Sequence, residues 1–196
     1  MKQETFPFLL AMLLFFCGTR AFSQTIYISN SYDFSVENAD GVTIYYSYVD
    51  DGLNLCVKTP KSGYYSGVVN VPEEVTYMNR TREVTCIGDG AFASCRNLVS
   101  VSLPQSIKRI NRSAFANSSI TVLNIPRELQ TIEYGAFYKC DISTIELHDN
   151  IKTIGEYAFK NSKLSSLTIP KNVTKIGEYN QEIKGETNVE IISVIA

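Results

Sequence analysis

Four consecutive stretches of this chain spell one outline: Ile87–Arg109, Ile110–Thr131, Ile132–Thr153 and Ile154–Lys175. Each opens on Ile and, five residues on, carries Phe92, Phe115, Phe137 or Phe159, always preceded by Ala. The next apolar seat is Leu98, Ile120, Ile142 or Leu164. Apolar pairs follow: Val101 with Leu103, Leu123 with Ile125, Ile145 with Leu147, and Leu167 with Ile169. Pro104, Pro126 and Pro170 come next, and His148 takes that seat in the third stretch. Ile107, Leu129, Ile151 and Val173 close the units, three of which have 22 residues and the first one more. A unit this short cannot bury its own apolar seats, so it must stack on its neighbours to form continuous columns.

The columns predict local structure. Leu-x-x-Val-x-Leu-Pro alternates, which predicts a strand with alternate residues inward, ended by a proline that has no N–H to donate. The seats shared by Ile107 and Ile110, and by Ile151 and Ile154, predict a second short extended run on the opposite side. The Ala-Phe pair predicts a tight turn or one turn of 3₁₀-helix. From Ile176, Val189, Ile191 and Ile195 fall at the expected offsets, but Asn180-Gln181 replaces Ala-Phe. Residues 176–196 therefore read as a degenerate last unit, and residues 66–86, containing VVNVPEEV, as a degenerate first one.

The phrasing IGxxAFxxCxxLxxVxLPxSIxxI closely resembles the BspA-like leucine-rich repeat family, common on exported proteins of anaerobic bacteria of the Bacteroides group. The resemblance covers Val68 to Ala196 and rests on five or six seats recurring in register. It implies a right-handed, curved leucine-rich solenoid, mainly β with short turns or 3₁₀ segments and little α-helix. It also implies a surface-exposed or secreted binding role, since some members bind host extracellular-matrix proteins. The seat where common leucine-rich repeats place an asparagine ladder holds Ser106, Glu128, Asn150 and Asn172, so that ladder is incomplete.

Upstream, the text changes. Residues 1–23 read as a signal peptide: Lys2 gives the positive charge, Phe6 to Cys17 is an apolar run too short to span a bilayer, and Ala21-Phe22-Ser23 is a cleavage site. Residues 24–65 read as a β-hairpin cap over the open end of the solenoid. Val42, Ile44, Tyr46 and Tyr48 alternate against Thr43, Tyr45 and Ser47, Asp50-Asp51-Gly52 turns, and Leu53, Leu55 and Val57 alternate back. A sharper reading makes Tyr45, Tyr46, Tyr64 and Tyr65 an aromatic docking patch. The solenoid then occupies residues 66–196.

Cysteine geometry follows from the stacking. Cys95 and Cys140 hold the same seat two units apart, so their Cα atoms should lie about 10 Å apart, beyond disulfide reach. Ser118 and Ser162 fill that seat elsewhere, so it takes a small packable side chain. Cys56 with Cys86 stays geometrically open.

Chemistry is sparse. The formal net charge of −2 offers nothing to attract nucleic acid. His148 is the sole histidine, which leaves no set of metal ligands and no base for a nucleophile except itself. It reads as a solvated turn residue. No cofactor, metal or enzymatic activity is expected. The candidate binding residues lie on the concave strand face, at Ser100, Ser102, Val122, Asn124, Thr144, Glu146, His148, Ser166 and Thr168, a face without Trp, Tyr or Arg. A second candidate is an aromatic edge of Tyr134, Tyr157 and Tyr179. The expected function is a non-catalytic exported binding module, secreted, at the cell surface or in the periplasm. Its partner would be a protein or glycan, host extracellular matrix among the candidates. The alternative is a structural solenoid, self-associating end to end through 188–196, or a piece of a longer surface protein.

Overall fold

The computed structural model describes residues 31–177. The signal-peptide reading, the first residues of the cap, Tyr179, most of the last degenerate unit and the edge at 188–196 lie outside the described residues.

The repeat stacks as the columns require. Short parallel strands recur once per turn of the coil: β8 (Arg109–Ile110), β9 (Thr131–Ile132), β10 (Thr153–Ile154) and β11 (Lys175–Ile176). They pair Ile on Ile, from Ile110 through Ile132 and Ile154 to Ile176. These are the runs expected beside the leading Ile seats. They form the laddered side of the molecule, which contains no α-helix among its described residues.

The Ala-Phe segments are tight turns. Each turn bonds forward to the next: Phe92 N–H to Ala114 C=O, Phe115 to Ala136 and Phe137 to Ala158, all at 2.7 Å. The phenylalanines stack in one column with centroid spacings of 5.1, 5.3 and 5.2 Å and nearly parallel rings. All four are fully buried. Two left-handed residues bracket every Ala-Phe pair. One set is Gly90, Ser113, Gly135 and Tyr157; the other is Ser94, Asn117, Lys139 and Asn161, all with φ between 52° and 61°.

The third side departs from the expected strand. A regular strand forms only in the first full unit, β7 (Leu98–Ser102), which pairs in parallel with β4 (Gly67–Asn70) of the leading unit. Between the second and third units there is one bridge, Val122 with Thr144, and one backbone bond beside it, Ser143 N–H to Thr121 C=O at 2.9 Å. The coil is already fixed by hydrogen bonds on its other two sides. The third is held by side-chain packing, and the prolines at its end supply no donor.

The N-terminal segment is a cap, but it does more than cover an end. β1 (Phe34–Glu37), β2 (Thr43–Val49) and β3 (Asn54–Lys58) form an antiparallel meander, with the β2–β3 turn at Asp50–Gly52 as expected. β3 then pairs in parallel with β6 (Arg80–Ile87), which pairs with β8, so the cap continues the ladder as an extra rung. β5 (Glu74–Tyr77) folds back on β6 as a hairpin. Cys56 and Cys86 face each other across β3 and β6, Cα atoms 4.6 Å apart, and are disulfide-bonded. Cys95 and Cys140 are free and buried.

The aromatic docking patch in the cap is not formed. Tyr46 and Tyr65 are buried, at 1% and 4% exposure. Tyr65 heads the phenylalanine column, its ring 4.9 Å from Phe92. Its hydroxyl donates to Lys58 C=O at 2.9 Å and accepts from Tyr45 N–H at 3.1 Å, which satisfies the phenol inside the core.

Candidate functional site

The open third side produces a cleft. Beyond the Val122–Thr144 bridge, the second and third units separate and enclose about 430 Å³ between Val122–Arg127 and Thr144–His148. Its floor is the apolar seats Leu123, Ile125, Ile145 and Leu147. Ile125, Ile145 and Leu147 are only half-buried, whereas Val101, Leu103, Leu167 and Ile169, in the same seats of the outer units, are buried. The core is therefore accessible at one joint.

His148 closes the far end. Its Nε2–H donates to Pro126 C=O at 2.7 Å, and its Nδ1 accepts from Asn150 N–H at 3.3 Å. The carbonyl partner fixes the tautomer, because a carbonyl oxygen can only accept. His148 is thus a half-buried strut between two units rather than a solvated turn residue. With a bridge at one end and this bond at the other, the cleft suits a side chain or small group better than an added strand.

Five of the residues expected on this face, Val122, Asn124, Thr144, Glu146 and His148, meet around the cleft. Ser100, Ser102, Ser166 and Thr168 sit on the flanking units and do not line it; Ser100 and Ser102 belong to the β4–β7 pair. Sequence reasoning missed Arg127, which lines the rim, so the face does carry an arginine. It also missed the half-buried floor. The signal available was His148, the one break in the proline series.

The aromatic edge forms a second recess, of about 360 Å³, lined by Ser113, Tyr134, Gly135, Tyr138, Tyr157 and Lys160. Tyr134 and Tyr157 meet edge to face at 5.5 Å. A cation lies over each ring: Arg112 over Tyr134 at 5.0 Å, Lys139 over Tyr138 at 5.2 Å and Lys160 over Tyr157 at 4.8 Å. Beside them, Glu133 has its pKa raised, chiefly by burial and then by the charge of Asp89, against the pull of the Arg112 backbone N–H and of Arg109 and Arg112. Tyr138 and the cations were not singled out by sequence; they become neighbours only when the turns stack.

The two free cysteines among the described residues are buried in the core and line neither recess. Burial raises the Cys140 thiol, which shares a 3.2 Å hydrogen bond with Ser118 Oγ, and pushes Cys95 up to about 11. Reactive cysteines show the opposite shift. Among the described residues, no three His, Cys, Asp or Glu side chains gather closely enough to hold a metal ion.

A stacked coil of 22-residue units with an inward Ile-Phe-Leu core defines a leucine-rich repeat solenoid, a protein-binding type of repeat module. The chain belongs to the BspA-type leucine-rich repeat family, whose model matches six copies over residues 72–191. A leucine-rich repeat protein from Bacteroides ovatus is similar in structure, with a TM-score of 0.64 and 31% identity over 74% of this chain and 37% of that one. This chain thus spans little more than a third of that relative. A Treponema pallidum leucine-rich repeat protein shares the fold at a TM-score of 0.58 and 24% identity, over 68% of this chain and 61% of its own. The pneumococcal vaccine antigen PcpA shares it at 0.53 and 20% identity, over 74% of this chain and 46% of its own. A search among curated proteins found no match.

Proposed function

We propose that the protein is a non-catalytic, exported binding module that holds a partner protein on its repeat surface, at the cell surface or in secreted form. The cleft between the second and third units carries this reading, because it opens half-buried core seats beneath a polar rim. A partner side chain seated on Ile125, Ile145 and Leu147 would exchange water for apolar contact, with Arg127, Asn124 and Glu146 placed to orient it. Export is supported by the signal-peptide reading of residues 1–23 and by the Cys56–Cys86 bridge, which persists in oxidising compartments. The raised thiol pKa values and the engagement of both His148 nitrogens support a role without catalysis.

The test is a binding screen of the secreted chain against host matrix proteins and intact cell surfaces, repeated with Arg127→Ala and Glu146→Ala. Both residues are exposed, so the fold tolerates either change. Saturable binding that weakens at least tenfold in these variants is expected. No saturable partner, together with a periplasmic location, would overturn the reading.

A further inference from the structure

The recess on the aromatic edge has an unexplained backbone. Every unit places a left-handed residue just before Ala-Phe and another just after it. The first seat holds Gly90, Ser113 and Gly135, and the second holds Ser94, Asn117 and Asn161, mostly small or short polar residues that tolerate this conformation. Two bulky residues break the rule: Tyr157 at φ 56° and Lys139 at φ 52°. Tyr157 lines the recess, and Lys139 lies beside it, its ammonium 5.2 Å from the ring of the lining residue Tyr138. The fold pays strain at these two seats where its own repeat shows cheaper residues, and such strain gathers where a side chain is needed for more than stability.

The side chains it holds have a definite chemistry. Tyr134, Tyr138 and Tyr157 present ring surface and phenol hydroxyls in a small space. Arg112, Lys139 and Lys160 supply positive charge above them, and none of the three lies within ion-pair distance of a carboxylate among the described residues; the three ion pairs there involve Lys108, Lys163 and Lys171. Glu133 lies near Arg112 and is half-buried, its pKa raised chiefly by burial, but it makes no ion pair with Arg112. The volume is near the lower end of the roughly 300–1,000 Å³ of small-ligand pockets, too small for a helix.

From this arrangement we infer that the recess binds an acidic saccharide, with the sugar ring seated among the three tyrosines and its carboxylate or sulfate against Lys139, Lys160 and Arg112. A sugar acid offers the three things the site can use together. It has a rigid C–H face for the rings, hydroxyls for the phenols and Ser113, and one anionic group for the cations. An acidic peptide offers the charge on flexible stems, without the rigid face. The inference extends the binding-module reading to a second site and a second class of partner, and stands or falls apart from the cleft.

The experiment measures binding of the intact chain to immobilised polygalacturonate and to a sulfated polysaccharide, with dextran and polyglutamate as controls. Binding to at least one acidic polysaccharide is expected, absent with dextran, at least tenfold weaker with polyglutamate and reduced by salt. The two acidic polymers separate carboxylate from sulfate. Tyr157→Gly and Lys139→Asn restore the residues that the repeat favours, so each should raise the melting temperature by a few degrees while weakening saccharide binding at least tenfold. A variant that gained stability and kept its binding would overturn the inference, as would equal binding to polyglutamate or none to either saccharide. Arg127→Ala and Glu146→Ala should leave saccharide binding unchanged, which keeps failure here distinct from failure at the cleft.

Discussion

Gly155 shows how little freedom a stacked coil leaves to one residue. A Cβ there would stand 2.4 Å from the Glu133 carbonyl carbon and the Tyr134 nitrogen, both backbone atoms of the adjacent unit. Gly155→Ala should cost about 1–3 kcal/mol in denaturant unfolding, since rigid backbone cannot move aside. Cys95 makes a prediction about pH. Burial holds its folded pKa at about 11, above the ordinary thiol value of 9.0. A raised folded pKa favours the protonated native state, so the contribution is intact below pH 9 and is lost as pH climbs toward 11. At one residue this amounts to about 2–3 kcal/mol. Cys95→Ser, which copies the residue at Ser118 and Ser162, should make stability fall less steeply between pH 9 and 10, the remaining slope coming from Cys140, whose thiol burial also raises, before the buried tyrosines Tyr46 and Tyr65, whose pKa values are raised by burial, begin to contribute. The apolar seats were legible in the sequence because burial selects hydrophobicity directly. The left-handed backbone at Tyr157 and Lys139 was not, because no side-chain pattern announces φ when the residue is not glycine.

At the scale of elements, the broken asparagine ladder has a clear function. Asn150 donates to Arg127 C=O at 2.8 Å and Asn172 to Asp149 C=O at 2.9 Å, each reaching back one unit, and Ser106 does likewise to Val84 C=O at 2.8 Å. Glu128 holds the same seat with no donor to offer. Glu128→Asn should add the missing rung to Gln105 C=O and raise stability by about 0.5–1.5 kcal/mol, read as an upward shift in melting temperature. The Cys56–Cys86 bridge ties the cap's last strand to the first long strand of the solenoid. Replacing both cysteines with serine should cost about 2–5 kcal/mol, seen as a lower denaturant midpoint. The order of these elements could be read from the repeat, and the turn at Asp50–Gly52 from its composition. The opening of the third side could not. It depends on how two hydrogen-bonded sides set the spacing of a third, and that is a property of the whole coil.

For the molecule as a whole, stability is shared along a line of joints. Phe137 stacks on both Phe115 and Phe159, while Phe159 has only Phe137 beneath it among the described residues. Truncating either to Ala removes buried ring area worth about 3–5 kcal/mol. Phe137→Ala should fall at the upper end and Phe159→Ala at the lower, the difference being one stacked pair, about 0.5–1.5 kcal/mol. In hydrogen exchange, Phe159→Ala should loosen the neighbouring units first, and Phe137→Ala should split protection on both sides, as expected when each repeat leans only on its neighbours.

The cap joins the solenoid through ordinary ladder pairing and a tyrosine seated where a repeat would put its phenylalanine. The Cys56–Cys86 bridge fixes that joint to the leading unit, and beyond it the units repeat one stacking geometry. The chain therefore behaves as a ruler with a fixed zero mark, and inserting one more copy of a unit between cap and recess would carry the recess about 5 Å farther from the cap without redrawing either. Distance between the two surfaces is thus a quantity that duplication or loss of a single repeat can set in discrete steps, independently of what each surface holds.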